Sequence, residues 1–191
     1  MWTLPSFLRF LVILLCLGLV SSFYPRAAAA QTVGTVTKVH KQAQVGSRTA
    51  VVGAPVRMKD QLRTGAGARM QVTFRDGTTL TLGENARVGI DRYVYNPAKS
   101  TGAMTLDQSR GALRLATGKL KHMRKKDVTV NTPAAALAVR GTDFWSGPID
   151  GHHGAYLVKG KVSVSNRHGA VMLSKPGQGT DIRGRRGRRR R

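Results

Sequence analysis

The chain has 191 residues, with 32 Lys and Arg against nine Asp and Glu, a net charge of +23. An apolar share of 41% is enough for one packed domain of ordinary size, which excludes a wholly disordered chain. Charge of this size selects anionic polymers or membranes as partners and leaves the fold open.

The first element is a leader over residues 1–30. Arg9 is its positive end; Leu8 and Phe10 to Val20 form an apolar stretch broken only by Gly18, and Ser21, Ser22, Pro25 and Ala27 to Ala30 follow. This is the layout of a secretory signal peptide with cleavage after Ala30. The apolar stretch is short against the roughly 20 residues of a membrane span. Cys16 follows Leu15, where a lipid-attachment site expects a small residue. Cys16 is also the only cysteine, so the mature chain has neither disulfides nor thiol chemistry. The expected compartment is periplasmic or secreted.

Residues 31–182 form the body and read as strands and turns. Period-two alternation marks Val72 to Phe74, Leu80 to Leu82, Val128 to Val130, Tyr156 to Val158, Val162 to Val164 and Val171 to Leu173, with Gly and Thr between them. No segment has a convincing helical period. The expected fold is all-β, with many short strands in a β-solenoid or sandwich-like domain.

Register follows from keeping apolar residues on one face. Pairing Phe74 with Leu80 centres a first hairpin on Gly77, with the loop Asp76-Gly77-Thr78. Pairing Val158 with Val162 centres a second on Gly160. Pairing Val162 with Leu173 and Val164 with Val171 gives a third around Arg167 and His168, so Tyr156 to Leu173 reads as a meander. Solenoid corners use the same turn glycines, so a coil remains the alternative topology.

Further along, Tyr93 and Tyr95 share a strand face, which suits core packing better than a sugar platform. Lys119, Lys121, His122, Arg124, Lys125 and Lys126 make a basic cluster around Leu120. It reads as an anion-binding edge or as a solvated loop that protects a strand edge. The alanine-rich segment Asn131 to Thr142 reads as an extended buried strand, with a short helix over Ala134 to Val139 as the alternative.

The tail over residues 183–191 holds Arg183, Arg185, Arg186, Arg188, Arg189, Arg190 and Arg191. It has nothing apolar to bury and is expected to be disordered. Without leader and tail, the body keeps 23 basic against nine acidic residues, a net of +14. After export little nucleic acid is available, so the expected partner is an anionic envelope polymer or an envelope protein. Membrane-surface association through the tail is compatible with this, as is a solvated tail without a dedicated partner.

Catalytic signals are weak. Asp76, Asp143 and Asp181 stand beside Gly or Thr and read as turn caps. His152 and His153 lie in a Gly-flanked stretch and read as an exposed loop rather than a metal site. Ser109, Ser146 and Ser163 have no base nearby in sequence. No catalytic residue, metal or cofactor is expected.

The motif order resembles the FecR domain of bacterial envelope proteins. Leu62 to Gly65 (with Thr64), Phe74 to Gly77 (with Asp76) and Leu80 to Gly83 come first. Gly111 to Arg114, Thr117 to Leu120 and Val130 to Pro133 (with Thr132) follow. Val139 to Phe144, with Arg140, Gly141 and Thr142, leads to Leu157 to Val164 around Gly160, and then Leu173 to Gly179. The resemblance covers about Val33 to Gly179. It implies a module of short strands and a structural part for these motif residues. The family's namesakes relay signals from an outer-membrane transporter to a cytoplasmic sigma factor. They use an anti-sigma domain and a membrane span that this chain's pattern does not match. A standalone exported module is therefore expected, as a binding or scaffold protein, with an extracytoplasmic sensor or adaptor as the alternative.

Overall fold

The computed structural model describes residues 31–182; the leader over 1–30 and the arginine tail over 183–191 lie outside the described residues. Fifteen strands and one short 3-10 turn make up the body. The first seven strands are β1 (Thr32–His40), β2 (Ala43–Val45), β3 (Arg48–Thr49), β4 (Pro55–Arg57), β5 (Gln61–Thr64), β6 (Arg69–Phe74) and β7 (Thr79–Leu82). Then come β8 (Arg87–Asn96), β9 (Thr101–Arg110), β10 (Leu113–Ala116), the 3-10 turn Lys119–His122 and β11 (Lys125–Asn131). The long β12 (Ala136–Ile149) and β13 (His152–Asn166) precede β14 (Gly169–Leu173) and β15 (Gly179–Ile182).

All fifteen belong to one sheet that folds back on itself. On one edge, β12 pairs with β11 through Ala136 to Ala138 and with β10 through Asp143 to Ser146. From these two points the sheet splits into wings. One runs β11–β9–β8–β5–β2–β3 and the other β10–β7–β6–β1–β4. The chain passes repeatedly from wing to wing, which gives a coil-like path to a sandwich-like core. Both expected descriptions, solenoid and sandwich, therefore apply. The described β9–β11 pairing is parallel.

Alternation builds the core. Leu62, Val72, Leu80, Leu82, Val88, Leu106, Leu113 and Leu115 point between the wings and are fully buried. Phe74 of β6 and Tyr93 of β8 meet across the gap, with ring centroids 5.3 Å apart and planes at 26°. Tyr93 is thus a core residue, and Tyr95 packs against the same cluster.

Three register expectations have different outcomes. Val162 pairs with Leu173 and Val164 with Val171, as the apolar faces required. The first hairpin is displaced: Val72 faces Leu80 and Met70 faces Leu82. Its loop still has an odd number of residues, but it is Arg75-Asp76-Gly77. Phe74 N–H donates to Thr78 O at 2.8 Å, and Gly77 (φ +80°) closes the loop instead of centring it. A left-handed glycine belongs at the last position of a three-residue loop, where it absorbs the bulge.

The hairpin expected at Gly160 does not form. β13 runs on through it and pairs with β12 along its length. Gly141 (φ +64°) opens a bulge in β12, where Gly141 and Thr142 lie opposite Gly160 (φ +93°), and β13 bulges beside it at Val158, between Lys159 and Leu157. Each bulge changes the buried parity of its strand, from Leu137 and Val139 to Thr142 and Phe144, and from Leu157 to Val162. An extra residue in each strand bends the ribbon and increases its twist. The bend lies between the segments of β12 that hold the two wings, so it sets one wing over the other.

The Asn131–Thr142 segment is not one extended strand. A turn over Thr132 to Ala135 separates β11 from β12. Thr132 Oγ1 donates to Ala135 O at 2.8 Å and accepts Ala135 N–H at 3.0 Å. A hydroxyl placed this way satisfies backbone groups that the ladder leaves open.

Candidate anion-binding surface

The basic cluster is organised by a buried acid. Asp76 is 1% exposed. Its carboxylate accepts Thr78 Oγ1–H at 2.5 Å, Thr78 N–H at 3.3 Å, Tyr93 O–H at 3.0 Å and Leu120 N–H at 3.1 Å. Four donors from three parts of the chain take the place of a cation. Among the described residues Asp76 has no ion pair. Burial first, and the adjacent Asp76 charge second, push the Tyr93 hydroxyl well above its ordinary range, so it remains a donor.

This knot fixes one end of the basic segment. Lys119 N–H donates to Asp76 O at 2.8 Å, Gly118 N–H donates to Thr78 Oγ1 at 2.9 Å, and Leu120 is fully buried. The other end is fixed by Arg124 N–H donating to Ser100 Oγ at 3.1 Å and by the β11–β9 ladder. Lys119, Lys121, His122, Arg124, Lys125 and Lys126 all stay exposed on this short, anchored segment.

The fold adds charges that are distant in sequence. A Cβ on Gly141 would lie 3.4 Å from Lys121 Cβ, which places the β12 bulge against the basic turn. Arg140 precedes that glycine and pairs with Lys161 across the ribbon; both are exposed. The described ion pairs are Arg48–Asp60, Lys59–Asp91 and Arg114–Asp143, and none uses a residue of this face. The cations are therefore free to meet an external anion, at a cost smaller than breaking internal pairs.

The remaining motif residues serve the frame. Thr64 Oγ1 donates to Gly83 O at 2.6 Å and accepts Ala86 N–H at 2.9 Å, closing the β5 end onto the loop before β8. Gly65 O accepts Asn85 N–H at 3.0 Å at the same place. Thr142 Oγ1 donates to Lys161 O at 2.7 Å inside the double bulge, and Phe144 fills the core. Pro133 is exposed in the turn before β12.

Three candidate readings are corrected. Asp143 does not cap a turn; it holds Arg114 from Nε at 2.8 Å and Nη2 at 2.7 Å. Asp181 lies on the edge strand β15. His152 and His153 open β13 rather than lying in a loop, and His153 Nε2 is 2.8 Å from Ser146 Oγ. Sequence distance hid this contact, which follows from the β12–β13 register. Ser146 is fully buried. Among the described residues no three His, Cys, Asp or Glu side chains gather as a metal site, and no helix is long and apolar enough to cross a membrane.

Burial holds the His153 imidazole below its ordinary value of 6.5. The unfolded chain therefore takes up this proton first as pH falls. The contribution of His153 is complete above about 6.5 and is lost as pH drops towards its folded value. The melting temperature should decline as pH falls below about 6.5, and His153→Gln should flatten that part of the profile. Superimposable profiles would contradict this assignment.

Comparison with known proteins adds the following. Residues 60–172 match the family described as FecR protein. No curated protein matches the chain. Two crystal structures of a candidate anti-sigma factor from Parabacteroides distasonis ATCC 8503, at 2.50 and 1.65 Å resolution, are similar in structure, with 19% and 20% identity and TM-scores of 0.49 and 0.47. Each similarity covers 63% of this chain and 58% of the other, so the chain spans less than two thirds of those relatives.

Proposed function

The chain belongs to the FecR family, and from that premise we propose that it is an exported, non-catalytic binding module of the bacterial cell envelope. Its basic face, Lys119 to Arg124 with Arg140 and Lys161, docks an anionic envelope polymer or an acidic protein. The observation that supports this reading is a set of exposed, unpaired cations on a segment that the Asp76 carboxylate fixes in place. Pre-positioned charge of one sign speeds encounter and selects partners of the other sign.

The test is a binding series with lipopolysaccharide vesicles and with an acidic peptide, at increasing salt. Affinity should fall with salt, as expected for exposed charges. The Lys119→Glu, Lys121→Glu, Arg140→Glu triple variant should bind at least about tenfold more weakly with an unchanged melting temperature. Binding that is indifferent both to salt and to these changes would refute the reading.

Family membership supports a second reading, an extracytoplasmic sensor or adaptor that passes a signal to a separate membrane protein. The same triple variant would then lose a transcriptional response in cells, whereas a scaffold would show no such response to lose.

A further inference from the structure

Away from the basic face, the outer surface of the second wing carries an aromatic groove of about 520 Å³, lined by Trp145, Arg114, Arg69, Glu84 and the small residues Gly83 and Ala112. Register places its parts in one row. Tyr156 faces Trp145, Trp145 faces Arg114, and Arg114 faces Thr81. Residues directly opposite on neighbouring strands project from the same face.

The floor is built from residues without bulk. A Cβ on Gly147 would come within 2.6 Å of Ala112 Cβ and 2.8 Å of Trp145 Cζ2. Only glycine there leaves room for the indole to lie along the sheet. The result is a flat, half-buried aromatic surface, continued by Tyr156, which is 45% exposed. Such a surface is unusual on the polar side of a sheet.

The polar groups around it are already positioned. Asp143 holds Arg114 through Nε and Nη2, so Nη1 remains available to a ligand. Glu84 Oε2 accepts Gly67 N–H at 2.8 Å, which fixes this carboxylate at the rim with Oε1 free. Arg69 is exposed on the same wall.

We infer that this groove binds a glycan strand bearing carboxylates. The apolar C–H face of a sugar ring lies on the electron-rich face of Trp145. A carboxylate accepts bidentate hydrogen bonds, the ligand that arginine recognises best. Glu84 Oε1 accepts from ring hydroxyls, which an acidic peptide lacks. Asp143 offsets the charge of Arg114, so the positive excess comes from Arg69 and from Lys41, whose Nζ lies 2.9 Å from where a Cβ on Gly67 would stand; against Glu84 alone they favour an acidic over a neutral sugar. The site lies apart from the basic face and does not depend on its assignment.

Trp2 and Trp145 are the only tryptophans. In the full chain carrying Trp2→Phe, indole emission therefore reports on Trp145 alone. A short oligomannuronate, a neutral cello-oligosaccharide of equal length and an oligoglutamate peptide are titrated in turn. Both sugars should shift the emission, the uronate at lower concentration, and the peptide should not. By calorimetry, Trp145→Ala should weaken uronate binding about tenfold or more. Arg69→Gln, on the exposed face of β6, should weaken uronate binding several-fold and leave the neutral sugar's binding unchanged, and it provides the test if Trp145→Ala fails to fold. Reversal of Lys119 and Lys121 should leave the neutral sugar's binding unchanged. Emission that ignores both sugars, emission that responds equally to the peptide, or full uronate binding by Arg69→Gln would overturn the assignment.

Discussion

Asp76→Ala should be among the most damaging single substitutions in this body, costing about 4 kcal/mol and lowering the melting temperature by roughly 10 °C. The reason lies in what the carboxylate holds. Removing it leaves the Tyr93 hydroxyl, the Thr78 hydroxyl and the Leu120 amide without their acceptor inside the protein. A buried donor left unpaired costs about 1–3 kcal/mol each, and part of that is recovered when water enters. Asp76→Asn should cost less, since its amide oxygen replaces one carboxylate oxygen. Its NH2 group, however, meets donors where an acceptor is needed. Tyr93→Phe removes one donor only and should cost about 1–2 kcal/mol. Urea unfolding gives the ranking. Hydrogen exchange at Leu120 adds a local reading, because its amide should lose protection in Asp76→Ala before the core strands do. An Asp76→Ala protein as stable as wild type would show that the four hydrogen bonds are replaceable. It would also leave the basic turn without its fixed position.

Some of this was legible in the sequence and some was not, for identifiable reasons. The strand-rich class followed from period-two alternation, because each inward residue of a half-buried strand must be apolar. Val162 against Leu173 followed too, since one apolar face allowed one register. The basic segment was visible as residues 119–126, but Arg140 and Lys161 join it only through the fold. Asp76 looked like a turn cap, and it does accept Thr78 N–H. Its bonds to Tyr93 and Leu120 span 17 and 44 residues, and no local pattern announces such partners. The contact of Ser146 with His153 was hidden in the same way. The Gly160 error is more instructive. Reading Tyr156, Val158, Val162 and Val164 as one face assumed constant parity. Tyr156 and Val158 are instead exposed, and Leu157 is fully buried. A bulge shifts the phase of alternation by one, so a strand that passes through it looks like two strands of a hairpin. The same phase change was present in β12, where Val139 and Phe144 are both buried at an odd spacing. Two neighbouring phase changes, beside the facing Gly141 and Gly160, distinguish a bent ribbon from a turn.

That distinction leads to a second large effect. Gly160→Ala should cost about 3 kcal/mol or more, well above substitution at the left-handed glycines Gly77 and Gly141. Conformation alone does not explain the difference. Gly77 has a φ of +80° and open space where a Cβ would go, so Gly77→Ala carries only the left-handed penalty, about 1 kcal/mol. Gly141, at +64°, would place its Cβ 3.4 Å from Lys121 Cβ, an ordinary van der Waals contact, again with only the left-handed penalty of about 1 kcal/mol. At Gly160 the added carbon would run into the Gly141 carbonyl and come 2.8 Å from Thr142 Cα. Those atoms are backbone, and Thr142 is tied to Lys161 O and to Thr117. They cannot yield unless β12 and β13 separate at the bend. Because the bend sets the wings over each other, the strain should also loosen the contact between Phe74 and Tyr93. Gly160→Ala should therefore weaken the near-ultraviolet circular dichroism of the aromatic core. Gly77→Ala should leave it intact. Equal losses of stability at positions 77 and 160 would mean that the double bulge tolerates side chains and that the wings are held together by their apolar faces alone.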